Sequence, residues 1–265
     1  MKLLTYLCIA TLTIMWGGQL SSHAAVSDDG LILYLGFDKE SGGKVKDGTG
    51  GGNDGALTAG AEITTDEKVH GAGSLEIIDQ NASVQVESFQ ELAEYQDNSY
   101  IFWINFIQGS NGAWSQIIAK PAPGADRSPG IWVRPAELGI HYRFNPGNKG
   151  AGYVGPDGNN TQFETKKWYH IAGVRAGTKL TFYVDGVAKA EYNDIPAAID
   201  QGADKLFIGK SPRYRAATFH LDELYIFNRA LSADEITEVK DGLLLPVEPK
   251  DKLATTWGKL KSHRD

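Results

Sequence analysis

Two short apolar runs, Gly130 to Arg134 and Gly139 to Phe144, carry the residue types best suited to recognition. In a strand, successive side chains alternate between faces. If Ile131 and Val133 face a core, Trp132 and Arg134 face out; if Ile140, Tyr142 and Phe144 face in, His141 and Arg143 face out. Trp132, Arg134, His141 and Arg143 would then form one outward strip on a hairpin. An aromatic face packs against the C–H side of a sugar ring, and a guanidinium donates paired hydrogen bonds to hydroxyls or carboxylates. The strip therefore predicts a glycan-binding surface, best suited to an acidic glycan. The competing arrangement buries Trp132 beneath the Gly- and Asn-rich stretch 145–160 and leaves the charges solvated.

Hydrolytic chemistry finds less support. Asp222 and Glu223 are adjacent, so in a regular strand they point to opposite faces and cannot serve as an acid and nucleophile pair. Nor is there a Glu-x-Asp-x-x-Glu run, a Gly-x-Ser-x-Gly elbow, a His-Glu-x-x-His helix or a phosphate-binding loop. His70, His141, His170 and His220 show no metal-ligand spacing, and His170 reads as a ring satisfied by a hydrogen bond inside a sheet. The loop Asp47 to Gly55, DGTGGGNDG, has the composition of a calcium loop. It lacks the distal Glu and occurs once, so it reads as a long turn.

The elements that must position these residues are short strands. The chain has 265 residues with 31 Gly, and its apolar runs are brief, turn-bounded and without helical period over most of its length. Strand-like runs span Leu31 to Phe37, Ser74 to Ile78, Ser83 to Val86, Tyr100 to Ile107, Ser115 to Lys120, Gly130 to Arg134, Gly139 to Phe144, Trp168 to Arg175, Leu180 to Val184, Lys205 to Ile208 and Thr218 to Phe227. A helical turn is expected around Phe89 to Tyr95. A better helix starts at Ser232, where Ser232 and Glu235 make a capping box, and stops near Gly242.

Residues 1–25 read as an export signal, with Lys2, an apolar run from Leu3 to Trp16, and small residues up to Ala24-Ala25. The run is shorter than the roughly 20 residues that span a bilayer, so no membrane span is expected after cleavage. Cys8, the only cysteine, lies within it, which leaves the remaining chain without disulfides or thiolate metal sites. The formal charge is −7, one unit more negative without Lys2, and argues against a nucleic-acid partner. After residue 242, two prolines and a lysine-rich end make 243–265 a tail.

Several ordered pieces resemble the LamG-like (concanavalin A-like) jelly-roll family. These are LILYLGFD, VKDGTGGGNDGAL, HGAGSLEI, YIFWINF, WYHIAGV, LTFYVDGV, LFIGK and HLDELYIFNRALSADEI, in the family's order from Leu31 to Val239. The resemblance implies an all-β fold, an antiparallel two-sheet jelly-roll sandwich over residues 26–242 with a short C-terminal helix, in which the last strand lies beside the first. It also implies a structural calcium ion near Asp38 and Asp222, with Asp47 as a further carboxylate and backbone carbonyls completing the six to eight oxygens that calcium takes. Lyases of this fold use scattered Arg, His and Tyr, which Arg143, His141 and Tyr142 could mimic. The leading expectation is a noncatalytic exported recognition module, secreted, periplasmic or on the cell surface, that binds a glycan or a cell-surface protein. The alternatives are an adhesion component of a surface assembly docked through its tail, and, behind it, a polysaccharide lyase or hydrolase.

Overall fold

The computed structural model describes residues 26–58 and 60–244; the expected export signal and the tail beyond residue 244 lie outside them. The strands in chain order are β1 (Leu31–Leu35), β2 (Lys44–Val45), β3 (Gly55–Leu57), β4 (Ala61–Thr64), β5 (Ser74–Ile77), β6 (Ser83–Val86), β7 (Asn98–Phe106) and β8 (Ser115–Ala119). Then follow β9 (Gly130–Val133), β10 (Ile140–Phe144), β11 (Lys149–Val154), β12 (Trp168–Ala176), β13 (Lys179–Val184), β14 (Val187–Tyr192), β15 (Leu206–Gly209) and β16 (Phe219–Phe227). Helix α1 (Gln90–Glu94) is one turn, and α2 (Ala233–Lys240) closes the domain. Ser232 caps α2 through the capping box with Glu235 that the sequence announces.

Two antiparallel sheets result. The first runs β14-β13-β12-β7-β16-β5-β4, with β1 also paired to β16, and the second runs β11-β10-β9-β8-β15-β6-β3-β2. First and last strands are neighbours as expected, Leu35 opposite Leu224 and Tyr34 opposite Tyr225. Between the sheets lies one apolar core, built from inward residues such as Phe102, Ile104 and Phe106 of β7, Ile131 and Val133 of β9, and Ile140, Tyr142 and Phe144 of β10. Each large apolar side chain buried there contributes about 1.5–3 kcal/mol.

Part of the expected connection at 145–160 is a strand: β11 pairs with β10, Arg143 opposite Gly150. Its glycines hid the alternation on which a strand is recognised. Strand β14 also escapes the reading, since Val187 and Ala188 are exposed and only Ala190 and Tyr192 reach the core, too few to mark a face.

Strand β16 departs from simple alternation. Asp222 pairs with Trp103 and Tyr225 with Ile101, so two residues, Glu223 and Leu224, face one, Phe102. Glu223 adopts φ 55°, the left-handed conformation that lets a bulge absorb the extra residue. Phe219, Leu221, Leu224 and Ile226 therefore all point into the core. Tyr225 and Phe227 lie on the outer face with Tyr34, Ile101, Val174 and Tyr183, beneath Leu231, Ile236 and Val239 at and within α2. This corrects the expectation that Asp222 and Glu223 point to opposite faces: the bulge turns both outward. The Glu223 carboxylate accepts from Tyr34 Oη at 2.9 Å and Tyr225 Oη at 2.8 Å.

Candidate functional site

Trp132, Arg134, His141 and Arg143 share one face of the second sheet, but Trp132 and His141 are buried there rather than open as expected. His141 lies opposite Trp132 across β9 and β10, with ring centroids 5.7 Å apart, and Arg143 lies opposite Gly130. Glycine at 130 is required by the tryptophan, because a Cβ there would come within 2.0 Å of the indole. The indole thus lies over the backbone and is only 3% exposed. What covers it is Arg127, whose guanidinium carbon sits 5.6 Å from the ring centre, and Tyr214, which meets it edge-on at 5.5 Å. Residues 145–160 do something else. They supply Tyr153, which is 39% exposed and has Arg134 stacked 3.9 Å above its ring.

His141 is the hub. Its ring packs against Trp114 at 4.7 Å and Tyr153 at 5.6 Å, and its Nδ1 lies 2.7 Å from the Gly152 carbonyl. Arg143 Nε donates to His141 Nε2 at 3.3 Å, so Nε2 is the acceptor and Nδ1 carries the proton. Burial pushes the His141 pKa down to about 4, and the Arg143, Arg127 and Arg134 charges lower it further against the Gly152 carbonyl, which raises it. Arg143 Nη1 donates to the carbonyls of Asn148 and Gly150, which leaves Nη2 without a hydrogen bond among the described residues.

Beneath the strip, a polar network sets the turn that carries Tyr214. Buried Asp126 accepts from Ser211 Oγ at 2.7 Å and Arg213 N at 3.0 Å, and Ser211 Oγ also donates to Gln116 Oε1. The outcome is an aromatic floor, Trp114, Trp132, Tyr153 and Tyr214, edged by the guanidinium groups of Arg127, Arg134 and Arg143. Arg127, Trp114, Tyr153 and Tyr214 were not foreseen. They come from connections and a glycine-rich strand, where no period marks a face.

A neutral, buried imidazole makes the domain acid-sensitive. The unfolded His141 ring titrates near 6.5 and the folded one near 4, so its contribution to stability is complete above 6.5 and is lost as pH falls towards 4. Denaturant unfolding at pH 7 and pH 4.5 should show a smaller acid loss in His141→Gln than in the wild type.

The three candidate metal carboxylates separate. Asp38, just after β1, and Asp222 are brought together across the segment 69–72: Asp38 Oδ1 accepts from Ala72 N, and Asp222 Oδ2 accepts from Val69 N at 2.8 Å and His70 N at 3.2 Å. Asp47 instead folds its own loop, accepting from Thr49 N and Oγ1, Asn53 N and Tyr34 N. Asp222 Oδ1 is buried and has no hydrogen-bond partner. Burial pushes the Asp222 carboxyl up to about 7, with Asp38 adding to it; burial and Asp222 push Glu223 up to about 8. An unpartnered carboxylate oxygen beside a second acid suits a hard cation in donor chemistry. Among the described residues, no group of three or more His, Cys, Asp or Glu side chains is arranged to hold a metal.

The sequence profile of the Concanavalin A-like lectin/glucanases superfamily matches residues 78–237. The chain belongs to this superfamily. A search of curated proteins returns no match. Among solved structures, the superfamily fold recurs in the binding domain of Paraclostridial Mosquitocidal Protein 1, at TM-score 0.64 and 15% identity over 82% of this chain and 53% of that one. It recurs in a Trypanosoma rangeli sialidase solved with sialic acid, at 0.63 and 17% over 85% of this chain and 35% of that one. A third is the Botulinum neurotoxin serotype D binding domain, at 0.60 and 16% over 82% and 52%. The chain thus spans about half of each toxin domain and about a third of the sialidase. At such identities the likeness is one of fold.

Proposed function

We infer that this chain is a noncatalytic, exported recognition module that binds anionic glycans on the outer face of its second sheet. The observation that carries this reading is the set of three guanidinium groups, Arg127, Arg134 and Arg143, around a floor of aromatic rings. Trp114, Tyr153 and Tyr214 offer apolar ring surface to sugar C–H groups, with the covered Trp132 indole supporting them, and the guanidinium forks match a carboxylate or sulfate. The toxin neighbours are binding domains by name, the same class of role.

The test is a glycan array probed at low and moderate salt. Carboxylated or sulfated glycans should dominate the bound set, and their signal should fall as salt rises, because part of the attraction is screened. A bound set with no preference for charged glycans would sink the reading, as would new reducing ends or unsaturated products when the protein is incubated with polysaccharides.

A structural Ca²⁺ belongs to the same proposal. Asp38 and Asp222 would hold it, Asp47 would not, and its contribution would be to tie β1, β16 and the segment 69–72 together. Binding to the folded state alone stabilises by about 2.7 kcal/mol at a hundredfold excess over Kd. The melting temperature should therefore rise several degrees when Ca²⁺ replaces EDTA in the wild type and not in Asp222→Asn. Equal melting of the wild type in both would remove calcium from the account.

A further inference from the structure

The outer face of the first sheet has two halves. Helix α2 covers one. The other carries two rows across β16, β7 and β12: His220, Asn105 and Trp168 in one, Asp222, Trp103 and His170 in the next. His70, on the segment 69–72, leans over this half with its ring 6.3 Å from Trp103, while His170 sits 5.1 Å from Trp103 on the other side.

Buried polar atoms without partners concentrate here. Besides the Asp222 Oδ1 already described, they are His70 Nε2, His170 Nδ1, His220 Nδ1 and Asn105 Oδ1. Three of these side chains are almost fully buried, His170 at 1%, Asn105 at 3% and His220 at 8% exposure. The nearest acid to His220, Glu76, stands 3.8 Å from its Nδ1, too far for a hydrogen bond. A buried polar group left unpaired costs about 1–3 kcal/mol, so four in one patch mark a surface shaped for something that pairs them. Trp103 and Trp168 are half-buried diagonal neighbours that leave ring surface accessible.

We propose that this patch is a second ligand site, separate from the arginine strip and on the opposite sheet, that takes an uncharged pyranose. Such a ring offers hydroxyls that both donate and accept, which matches imidazole nitrogens and an amide oxygen, and a C–H face that matches indole. Burial holds the His170 ring below the usual imidazole range, so it is uncharged at neutral pH. No arginine lines the patch, and Glu67 and Glu76 stand at its edge, which disfavours the anionic ligands suited to the other sheet. A chain with both sites would engage a charged and an uncharged sugar at once, on opposite faces.

The experiment titrates the full protein with methyl glucoside, methyl galactoside, methyl mannoside and N-acetylglucosamine, followed by calorimetry and by the indole N–H signals of the ¹⁵N-labelled chain. At least one neutral sugar should bind and should shift the Trp103 and Trp168 indoles while leaving Trp114 and Trp132 in place. Trp168→Ala and Asn105→Ala should each weaken that sugar about tenfold or more, and Arg143→Ala should not. Trp168 is half exposed, so its variant retains the fold even if Asn105→Ala does not. No binding by any of the four sugars overturns the proposal. So does binding that shifts Trp132 or that responds to Arg143→Ala, and neither result bears on anionic glycans at the other sheet.

Discussion

Arg143→Ala should weaken binding of an anionic glycan about ten- to a hundredfold. A hydrogen bond to a charged group is worth about 1.5–3 kcal/mol, and each 1.4 kcal/mol is a factor of ten. Arg143 stands to lose the full amount because its side chain is already held in place. Nε is tied to His141 and Nη1 to the carbonyls of Asn148 and Gly150, so little entropy is lost when Nη2 meets a ligand. Arg143→Lys should recover the charge and only part of the affinity, since an ammonium lacks the planar fork. Calorimetry with a carboxylated or sulfated oligosaccharide at two salt concentrations reads both effects. Unchanged affinity in Arg143→Ala and in Arg134→Ala, with melting temperatures preserved, would move the site elsewhere.

Deleting Glu223 should leave a folded domain weaker by about 2–6 kcal/mol. The bulge absorbs one extra residue, so without it β16 alternates regularly: Leu221 inward, Asp222 outward, Leu224 inward, Tyr225 outward, Ile226 inward and Phe227 outward, the faces they already occupy. What is lost is the acceptor shared by the Tyr34 and Tyr225 hydroxyls. A buried polar group left unpaired costs about 1–3 kcal/mol, so two of them remove a large share of the stability of an ordinary domain, about 5–15 kcal/mol. Glu223→Gln is the control. It keeps the residue count, the bulge and an acceptor oxygen, and should melt close to the wild type. Circular dichroism melts of the soluble fraction distinguish the two, and a deletion that fails to fold would show that the bulge itself sets the packing of β16.

The architecture was readable from sequence wherever the signal is local. Strands with one buried face announce themselves by alternation, as in Leu180, Phe182 and Val184 of β13, all core residues. The capping box of α2 is local too, and it appears as foreseen. Strands β11 and β14 were not readable, the first because Gly150 and Gly152 carry no side chain to alternate, the second because only Ala190 and Tyr192 of its six residues pack on the core.

The candidate site was half legible for the same reason. Trp132, Arg134, His141 and Arg143 could be assigned to one face because a hairpin of known period carries them, and their mutual placement follows the expectation. Whether that face is open could not be read. Arg127 and Tyr214, which cover the Trp132 indole, arrive from separate connections, and Tyr153 arrives from an unrecognised strand. His170 shows the limit most plainly. The sequence suggested a ring satisfied within its sheet, yet its Nδ1 has no partner, because the neighbours across the ladder are Trp103 and chain segments far away in sequence.

By itself, the sequence determined the all-β class, the order of the main strands, the closing helix and the shared face of four residues on one hairpin. These depend on period, turn residues and caps, which act within a few residues. The tertiary structure alone decided the bulge at Glu223, the cover over Trp132, the separation of Asp47 from Asp38 and Asp222, and the gathering of His70, His170 and His220 around two tryptophans. Each of these depends on contacts between distant segments, such as Tyr34 with Glu223, 189 residues apart, whose geometry is set only when the two sheets close on their shared core.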